Sequence, residues 1–386
     1  MLPYLIAVMA VGTDSLILSA LLQPMAQQFG IDGATAAWAA AAHGIALAVA
    51  APVVALAFGH VPRRSLMIAG LILLLSGAIA GTLATHFATL VASRFLAGSG
   101  AGIFLPACYA HAGDVASMGH RSRIMGRVMA GWSGALLAGL PVASLLSVGL
   151  DWRAGFLPAA ALAGLAALMI GASRSIVPAA TPLRLTVHDT RAFLRRMAVP
   201  LGVNFLNMLS FYGVYTFLGL ALAEPHGANG ALFGLLAQAY GFGLLASTLS
   251  AFLLDRFGLD RATATALLLL AGAIPFVAMA RGETAVLVAC MFFWGLFQGW
   301  CQTGIAALAA AEGGGQRGLA TALLSTTTYL AVAAGAAGGS LIMTFAGFTA
   351  LSLAAGVSAA AAALLLTLRR NYSPAALSSS TRNPPD

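Results

Sequence analysis

The chain has 386 residues, of which 60% are hydrophobic and only 8% are charged, and its mean hydropathy is +0.93. Soluble domains carry roughly 25% charged residues, so the composition excludes a soluble globular protein and indicates one that crosses a membrane several times. The net charge of +8 would suit nucleic acid, but the arginines lie in short loops without a basic helix or interleaved aromatic residues, which excludes that partner.

Apolar runs near the roughly 20 residues needed to span a bilayer follow one another along the chain. The runs fall at about 3–24, 35–58, 65–85, 88–112, 126–148 and 154–173, and then at about 198–222, 231–254, 262–280, 284–311, 318–344 and 347–368. We therefore predict an all-α membrane protein with 12 transmembrane helices in two six-helix bundles, 1–173 and 198–368. A cytoplasmic linker (174–197) joins them, and the Pro/Ser-rich tail 369–386 is predicted to be disordered.

The arginines fix the predicted orientation. Sixteen lie in loops or termini on one side of the predicted helices, whereas only Arg153 and Arg281 lie on the other and Arg94 lies inside a helix. Because basic residues concentrate on the cytoplasmic side, both termini are predicted to be cytoplasmic. The exclusive use of Arg, with abundant Ala and Gly, suggests a bacterial protein of the inner membrane.

The two halves repeat with an offset of 196 residues. This offset carries Gly139 to Gly335 (335 − 139 = 196) and Arg121 to Arg317 (317 − 121 = 196). Pseudo-symmetric six-helix halves are typical of secondary transporters, in which the substrate site lies between the halves near the middle of the membrane.

One acid interrupts the first apolar run. Asp14, in "AVGTDSLILSALL", is the only acid deep within a predicted span, where a charge costs roughly 2.5–3.5 kcal/mol on insertion scales. Intramembrane ionisable residues usually mark transport pathways, so we interpret Asp14 as a proton-binding carboxylate. The alternative is an acid neutralised by a structural partner. The repeat offset maps Asp14 to Ser210, so the second half has no matching acid.

Several short motifs resemble the major facilitator superfamily over nearly the whole chain. They are "FGHVPRR" after predicted helix 2, "LDRFGLDR" after helix 8, "ASRFLAGSGAGIFLP" in helix 4, and "GALLAGLPVASLL" followed by "DWRAGF" in and after helix 5. The helix-5 motif and the Gly-Thr-Asp of helix 1 are similar to the 12-helix drug and sugar-efflux proton antiporter branch. The resemblance implies the major facilitator fold and proton-coupled antiport. The matching loop and helix-5 residues are Arg63, Arg64, Asp255, Arg256, Gly258, Gly134, Gly139 and Pro141.

The resemblance also implies contacts that hold the cytoplasmic end closed. The first loop copy lacks the family's acid, since Gly59 stands in its place. In the family these loop arginines contact acids at helix ends, and a bend in helix 5 limits leak. The residues of helix 5 themselves indicate only bending and packing. The implied pairs are Arg63 or Arg64 with Asp114, and Arg256 or Arg261 with Glu312.

The resemblance implies that helices 1, 4, 7 and 10 line a central cavity. Asp14 and Arg94 would then face the same space and pair in one state but not in another, which would couple the pair to protons. The alternative is a static ion pair, or an arginine bonded to helix carbonyls. A lone buried histidine, His43 in helix 2, could relay protons but is more typical of a hydrogen bond between helices.

Amides and aromatic residues share one face of helix 7 and one face of helix 10. Their spacings are 3, 4 and 4 residues in helix 7, and 4 and 4 in helix 10, which places each set on one side. Such faces suit a ligand with polar and apolar parts, and the alternative is hydrogen bonding between helices. The candidate substrate residues are Asn204, Asn207, Phe211, Tyr215, Trp294, Gln298 and Gln302, with Tyr109 on the face of helix 4 that carries Arg94.

These observations predict a monomeric secondary transporter that exports a small organic molecule, drug-like or sugar, in exchange for protons by alternating access. Two alternatives stay open: a proton-coupled uptake symporter on the same fold, and a membrane sensor that does not transport. No catalytic, phosphate-binding or metal-binding motif is present in the sequence, so we expect neither enzymatic activity nor a metal or cofactor other than the proton.

Overall fold

The protein is described here by a computed structural model that covers residues 1–58, 60–115, 121–173, 187–226, 230–250, 252–314 and 317–371. These residues are almost entirely helical. The helices are α1 (Leu2–Phe29), α2 (Trp38–Ala57, after a single turn at Gly33–Ala36), α3 (Arg63–Thr82), α4 (Phe87–Val115), α5 (Arg121–Gly134 and Leu140–Gly149), α6 (Leu157–Ala172), α7 (Val187–His226), α8 (Gly230–Leu249), α9 (Leu259–Met279) and α10 (Thr284–Gly313), followed by the stretch Arg317–Asn371.

The last stretch contains two helices. Gly347 interrupts it with φ 75° and ψ 180°, a conformation open to glycine because it has no Cβ. We number the parts on either side α11 (317–346) and α12 (348–371). Eleven helical stretches are long and apolar enough to cross a membrane, and the last of them covers both α11 and α12. The predicted all-α membrane fold with twelve spans is therefore confirmed.

The turn between α1 and α2 is fixed by a helix cap. α1 ends at Gly30 in a left-handed conformation (φ 63°). The Asp32 carboxylate then accepts hydrogen bonds from the backbone N–H (2.7 Å) and the hydroxyl (2.6 Å) of Thr35, as helix N-caps do. These hydrogen bonds lower the pKa of Asp32 below its ordinary value.

Corresponding helices pack in the same way in the two halves. In the first half α2 and α3 pack on α4, α3 packs on α6, and α1 packs on α5 and α6. In the second half α8 and α9 pack on α10, and α7 packs on the α11–α12 stretch. Large apolar side chains such as Leu168 and Phe345 remain exposed on the outside, as a bilayer requires of a helix surface.

Among the described residues, the main contacts between the halves are those of α1 with α7, α2 with the α11–α12 stretch, and α5 with α8. The internal repeat relates the last two of these pairs to each other, because it maps α2 onto α8 and α5 onto α11. The repeat also relates two close helix contacts. A Cβ at Gly139 of α5 would collide with Thr13 of α1, and one at Gly335 of α11 would come within 2.9 Å of the Gly213 nitrogen of α7.

The connection between the halves is shorter than predicted. Helix α7 begins at Val187, so the last part of the predicted linker 174–197 is helical, and the rest of it (174–186) lies outside the described residues. Phe193 and Met197, one helical turn apart, are fully buried against Ala309 and Ala320. This apolar pair stabilises the early start of the helix, because i and i+4 side chains share a face. The predicted tail is helical to Asn371, and 372–386 lie outside the described part.

Candidate functional site

Asp14 and Arg94 form an ion pair in the interior of the first half. Asp14 lies near the middle of α1, about 18 Å along the axis from its first residue. Its Oδ1 accepts a hydrogen bond of 2.7 Å from the Arg94 guanidinium of α4, and both side chains are 0% exposed. The structure thus brings together the two charges that the sequence analysis placed in one space.

Arg94 is held by more than this carboxylate. Its second terminal nitrogen donates to the backbone oxygen of Gly77 in α3 at 2.9 Å, and its guanidinium lies 4.1 Å from the centre of the Phe156 ring. The arginine therefore has a carbonyl and a ring face as partners in addition to Asp14. Both alternatives considered from the sequence, the ion pair and the bond to a helix carbonyl, occur together.

The second oxygen of Asp14 is not hydrogen-bonded to any residue that the structure describes. Its nearest ionisable neighbour is His43 of α2, whose Nδ1 lies 3.5 Å from Asp14 Oδ2. The other ring nitrogen, Nε2, is 3.1 Å from the hydroxyl of Ser15. The sequence analysis considered His43 as a possible proton relay but favoured a hydrogen bond between helices, because a single histidine in an apolar helix carries no spacing pattern.

The bend of α5 touches α1 beside Asp14. Between Gly134 and Pro141, residues Ala135–Gly139 form one π-helical turn, a feature often found at functional sites. Gly139 packs directly on Thr13, so closely that a side chain there would collide with the threonine hydroxyl. The helix-5 motif thus contains a π-helical turn, and its contact is with the residue that precedes the buried acid.

The two predicted amide side chains of α7, Asn204 and Asn207, differ in their hydrogen bonds. Asn204 donates hydrogen bonds across to α11, to the hydroxyls of Thr327 and Thr328 at 2.9 Å and to the Leu324 carbonyl at 3.0 Å. Its role in this structure is thus the hydrogen bond between helices that the sequence analysis kept as the alternative. Asn207 is fully buried, and its amide oxygen and nitrogen contact no hydrogen-bonding partner in the described part of the chain.

An aromatic cluster occupies the centre of the second half. The Phe211 ring lies 5.1 Å from Tyr215, 5.5 Å from Tyr240 and 5.6 Å from Trp294, measured between ring centres. The Tyr215 hydroxyl and the Trp294 indole N–H are both buried without a hydrogen-bond partner among the described residues. Such groups usually have partners when buried, so the cluster presents two free polar atoms.

α10 contributes further polar side chains beside the aromatic cluster. Gln298, one turn beyond Trp294, is buried, and both its amide atoms lack partners within the described ranges. α7 and α10 run in opposite directions, so Asn207 and Gln298 each lie one turn from the Phe211–Trp294 contact toward the same end. Gln302 donates to the Met208 sulfur (3.5 Å). Tyr109 is not part of this cluster, and its hydroxyl accepts a 2.9 Å hydrogen bond from Trp132.

A small cavity lies between the two halves, with space for roughly one water molecule. Its first-half wall includes Ser15, Ser19 and His43, and its second-half wall includes Tyr215 and other residues of α7 and α11. The cavity therefore adjoins both the Asp14 group and the aromatic cluster. The other lining residues are Leu16, Leu18, Ala40, Tyr212, Thr216 and Val332.

The halves are closed together at one end of the molecule. This is the end that carries the turn between α1 and α2, named here the distal end. There the Ser19 hydroxyl donates to the Tyr215 carbonyl, and the Ser340 hydroxyl of α11 donates to the Ala34 carbonyl at 2.8 Å. A third contact, from Gln238 of α8 to the Leu137 carbonyl of α5 at 3.2 Å, lies near the middle of the molecule, close to the level of Thr13. The Ser19 and Ser340 contacts thus close the distal side of the cavity.

At the opposite end, Glu312 has a different partner from the one that the resemblance implies for the closed cytoplasmic end. The implied pair of Glu312 with Arg256 or Arg261 stays a prediction for that state. Glu312 pairs with Arg369 of α12, whereas Arg256 and Arg261 are exposed. The reason is that the last turn of α12 reaches the end of α10, so its arginine lies nearer to Glu312 than the loop arginines do. The motif glycine, Gly258, has φ 83° before α9, which glycine adopts readily.

The other implied pair is not tested. The side chains of Asp114 and Asp255 lie outside the described residues. Arg64 donates to the backbone oxygens of Ile170 and Gly171 at the end of α6, which joins α3 to α6 within the first half. Arg63, half-buried at the start of α3, stays a predicted partner of Asp114.

Two helical bundles related by a repeat, with a buried ion pair and a polar cavity between them, define a secondary transporter. The protein-family model of the Major Facilitator Superfamily matches residues 4–196 and 201–385. The chain therefore belongs to the Major Facilitator Superfamily. It is a multi-pass membrane transporter and not an enzyme.

Similar proteins agree with this assignment. The chain is 28% identical over 298 residues to the uncharacterized MFS-type transporter YwfA of Bacillus subtilis, covering 75% of this chain and 72% of that protein. It is 28% identical over 300 residues to a chloramphenicol resistance protein of Streptomyces lividans, covering 75% of each. It is 29% identical over 205 residues to the chloramphenicol efflux pump Rv0191 of Mycobacterium tuberculosis, covering 51% of this chain and 49% of that one.

A solved structure has the same fold. The crystal structure of a POT family transporter in complex with 5-aminolevulinic acid superposes with a TM-score of 0.75 and 13% sequence identity, covering 95% of this chain and 94% of that chain. This likeness establishes the fold alone.

Proposed function

We propose that the protein exports a small, uncharged organic molecule with an aromatic part across the bacterial cytoplasmic membrane, in exchange for protons. The observation that carries the proposal is the buried pair of Asp14 and Arg94. An ion pair removed from water costs desolvation free energy and is weak support for stability. An intramembrane carboxylate that keeps one oxygen free is better explained by a function that changes its protonation.

The substrate class follows from the second half. The rings of Phe211 and Tyr215 are stacked and Trp294 meets Phe211 edge-on, so together they offer aromatic surface. Buried amides at Asn207 and Gln298 offer hydrogen-bond donors and acceptors without partners among the described residues. Burying unpartnered polar atoms is costly, so a ligand that satisfies them would gain affinity. An aromatic molecule with hydroxyl or amide groups fits this set. The chloramphenicol resistance and efflux proteins among the relatives support export of such a compound.

Orientation and assembly complete the proposal. The distribution of arginines supports a cytoplasmic location of both termini, so the distal end would face outward and the described state would be closed to the outside. We propose that the protein acts as a monomer, since both halves of the site come from one chain. Arg63, Arg64, Asp114, Asp255, Arg256 and Gly258 would form the loops that close the cytoplasmic end in the opposite state.

The test uses purified protein in proteoliposomes with an imposed pH gradient and radiolabelled chloramphenicol as the probe. Antiport predicts that the probe accumulates on the side of higher proton concentration. With the membrane potential clamped at zero and one proton exchanged per molecule, a gradient of one pH unit supports accumulation of about ten-fold at most. Accumulation on the side of lower proton concentration would instead show symport.

Asp14→Asn tests the coupling group. The variant should lose pH-driven accumulation but retain exchange of labelled for unlabelled probe, because the amide does not take up a proton. Asp151→Asn, at an acid that is half-exposed beside Arg153, is the matched control and should transport like the native protein. Uphill transport by Asp14→Asn would refute the role of Asp14. Absence of both transport and exchange in the native protein would refute the substrate class.

A further inference from the structure

His43 connects the buried acid to the cavity between the halves. The imidazole is 3% exposed, and its two nitrogens face different groups. Nδ1 lies 3.5 Å from the free Oδ2 of Asp14, and Nε2 lies 3.1 Å from the Ser15 hydroxyl. Both Ser15 and His43 line the cavity. The ring therefore lies between the carboxylate and a cavity with space for roughly one water molecule.

Nδ1 and Oδ2 are close but not hydrogen-bonded. Neither atom has another partner in the described part of the chain, although buried polar atoms are paired in the great majority of cases. A separation of 3.5 Å needs only a small tilt of the ring to become a hydrogen bond of ordinary length. His43 Nδ1 and Asp14 Oδ2 are therefore both available to form a transient hydrogen bond along which a proton can move.

The backbone around His43 is fixed. Gly98 of α4 packs on the His43 backbone so closely that a Cβ on that glycine would collide with the His43 carbonyl oxygen. On the other side Gly44 lies against Val332 of α11, where an added Cβ would come within 2.8 Å of the valine side chain. The backbone that carries the imidazole is thus packed closely between the two halves.

We propose that the coupling proton passes between the cavity and Asp14 through His43, an inference that rests on the proposed proton-coupled function. One proton moves from cavity water to Nε2, and one moves from Nδ1 to Asp14 Oδ2. The ring ends neutral, as its other tautomer, and Asp14 ends protonated. When the cavity opens to the opposite side, the same two movements in reverse release the proton and restore the first tautomer.

The groups around His43 support this path. From α1 it faces Asp14, and from α4 it faces Arg94, which stays charged and occupies Oδ1 rather than Oδ2. From α7 the phenols of Tyr212 and Tyr215 line the same cavity. The ordinary pKa of a phenol is near 10, so these two hold their protons at neutral pH. Among the side chains named as lining this cavity, His43 is thus the one whose ring can accept a proton at one nitrogen while it gives one up at the other.

The test compares His43→Gln and His43→Asn with the native protein in proteoliposomes. Glutamine places an amide near Nε2 and asparagine places one near Nδ1, and neither amide titrates. Two rates are measured on each variant: pH-driven transport of chloramphenicol with release of protons, followed by a trapped pH dye, and exchange of labelled for unlabelled probe without a gradient. We expect pH-driven transport to fall about ten-fold or more, with a flattened pH profile, while exchange stays at the native rate.

His111→Gln is the matched control. His111 is also a buried histidine of a transmembrane helix, but it packs on Tyr4 and lies about 25 Å along α4 from Arg94. It should leave both rates unchanged. Elution from size exclusion and thermal melting identify the folded variants before transport is measured.

The outcomes separate this proposal from the proposed function. A folded His43 variant that drives transport at the native rate would overturn the relay, and so would a folded variant that loses pH-driven transport and exchange together, since that pattern marks a structural role. Both results leave the coupling role of Asp14 intact as long as Asp14→Asn fails to pump. Uphill transport by Asp14→Asn would instead remove the proposed function itself.

Discussion

The pair of Asp14 and Arg94 allows a quantitative prediction about stability. Asp14→Asn removes one charge and leaves the buried Arg94 guanidinium with neutral partners, namely the Gly77 carbonyl, the Ser93 hydroxyl and the Phe156 ring. Arg94→Met removes the other charge, keeps most of the side-chain volume, and leaves a buried carboxylate beside His43. The double variant Asp14→Asn/Arg94→Met contains neither charge.

The expected magnitudes follow from the complete burial of both groups. Removing one partner of a buried pair costs about 3–5 kcal/mol in the free energy of unfolding, because the remaining charge is uncompensated. If the two effects were independent, the double variant would lose about 6–10 kcal/mol. Since it buries no charge, we expect it to lose only about 1–3 kcal/mol, the cost of an asparagine amide without partners.

The assay is denaturant-induced unfolding in mixed micelles, followed by tryptophan fluorescence for the native protein and the three variants. The surface pair of Asp151 and Arg153, 3.3 Å apart and partly exposed, is the control. Asp151→Asn should cost about 1 kcal/mol or less, and asparagine keeps the helix cap. A double variant as unstable as the sum of the single variants would refute the idea that the two buried charges stabilise each other.

Three further predictions concern other positions. Asn207→Leu should raise the melting temperature, since it removes an amide without partners, and should weaken chloramphenicol transport; a lower melting temperature would show that the amide is satisfied in solution. Gly139→Ala should cost about 1–3 kcal/mol through collision with Thr13, measured by unfolding, whereas Gly149→Ala, at a site with no neighbour within 4 Å, should not destabilise. Asp32→Ala should cost about 1 kcal/mol as a lost helix cap. Because the pKa of Asp32 is lowered in the folded protein, the ionised cap contributes above the ordinary pKa and its contribution disappears as the pH falls through the lowered value; equal acid sensitivity of native and Asp32→Ala proteins would contradict this.

Helix number and fold could be predicted because the cost of unpaired backbone groups in lipid forces apolar runs into helices. Asp14 could be identified for a similar reason, because placing a charged carboxylate within an apolar run costs free energy in lipid. Sequence periodicity could not distinguish the hydrogen bonding of Asn204 from that of Asn207. Both lie on one face with helical spacing, yet only the first meets the hydroxyls of α11. That difference depends on side-chain partners in another helix, which periodicity does not encode.

His43 and Glu312 both show that contacts between helices are not visible in the sequence. The proposed role of His43 depends on its short distance from Asp14, which is set by the packing of α2 on α1. No neighbouring residue in the sequence indicates this distance. Glu312 was assigned a loop arginine because the resemblance indicates which end of the molecule is charged. The partner, Arg369, depends on where α12 ends, and helix ends are the least predictable part of a helix.

Comparison of corresponding positions in the repeat shows that the buried acid and the proposed substrate-binding side chains lie in different halves. Ser210, at the position that corresponds to Asp14, is buried and donates a 2.7 Å hydrogen bond to the Ala355 carbonyl of α12, so the second copy has a neutral contact between helices where the first has an acid. The unpartnered amides and stacked rings lie in the second half. His43 and Tyr215 line the same cavity from opposite halves. A substrate held by the aromatic cluster would therefore change the access of water to His43, which gives proton uptake and substrate binding a common space in which to compete.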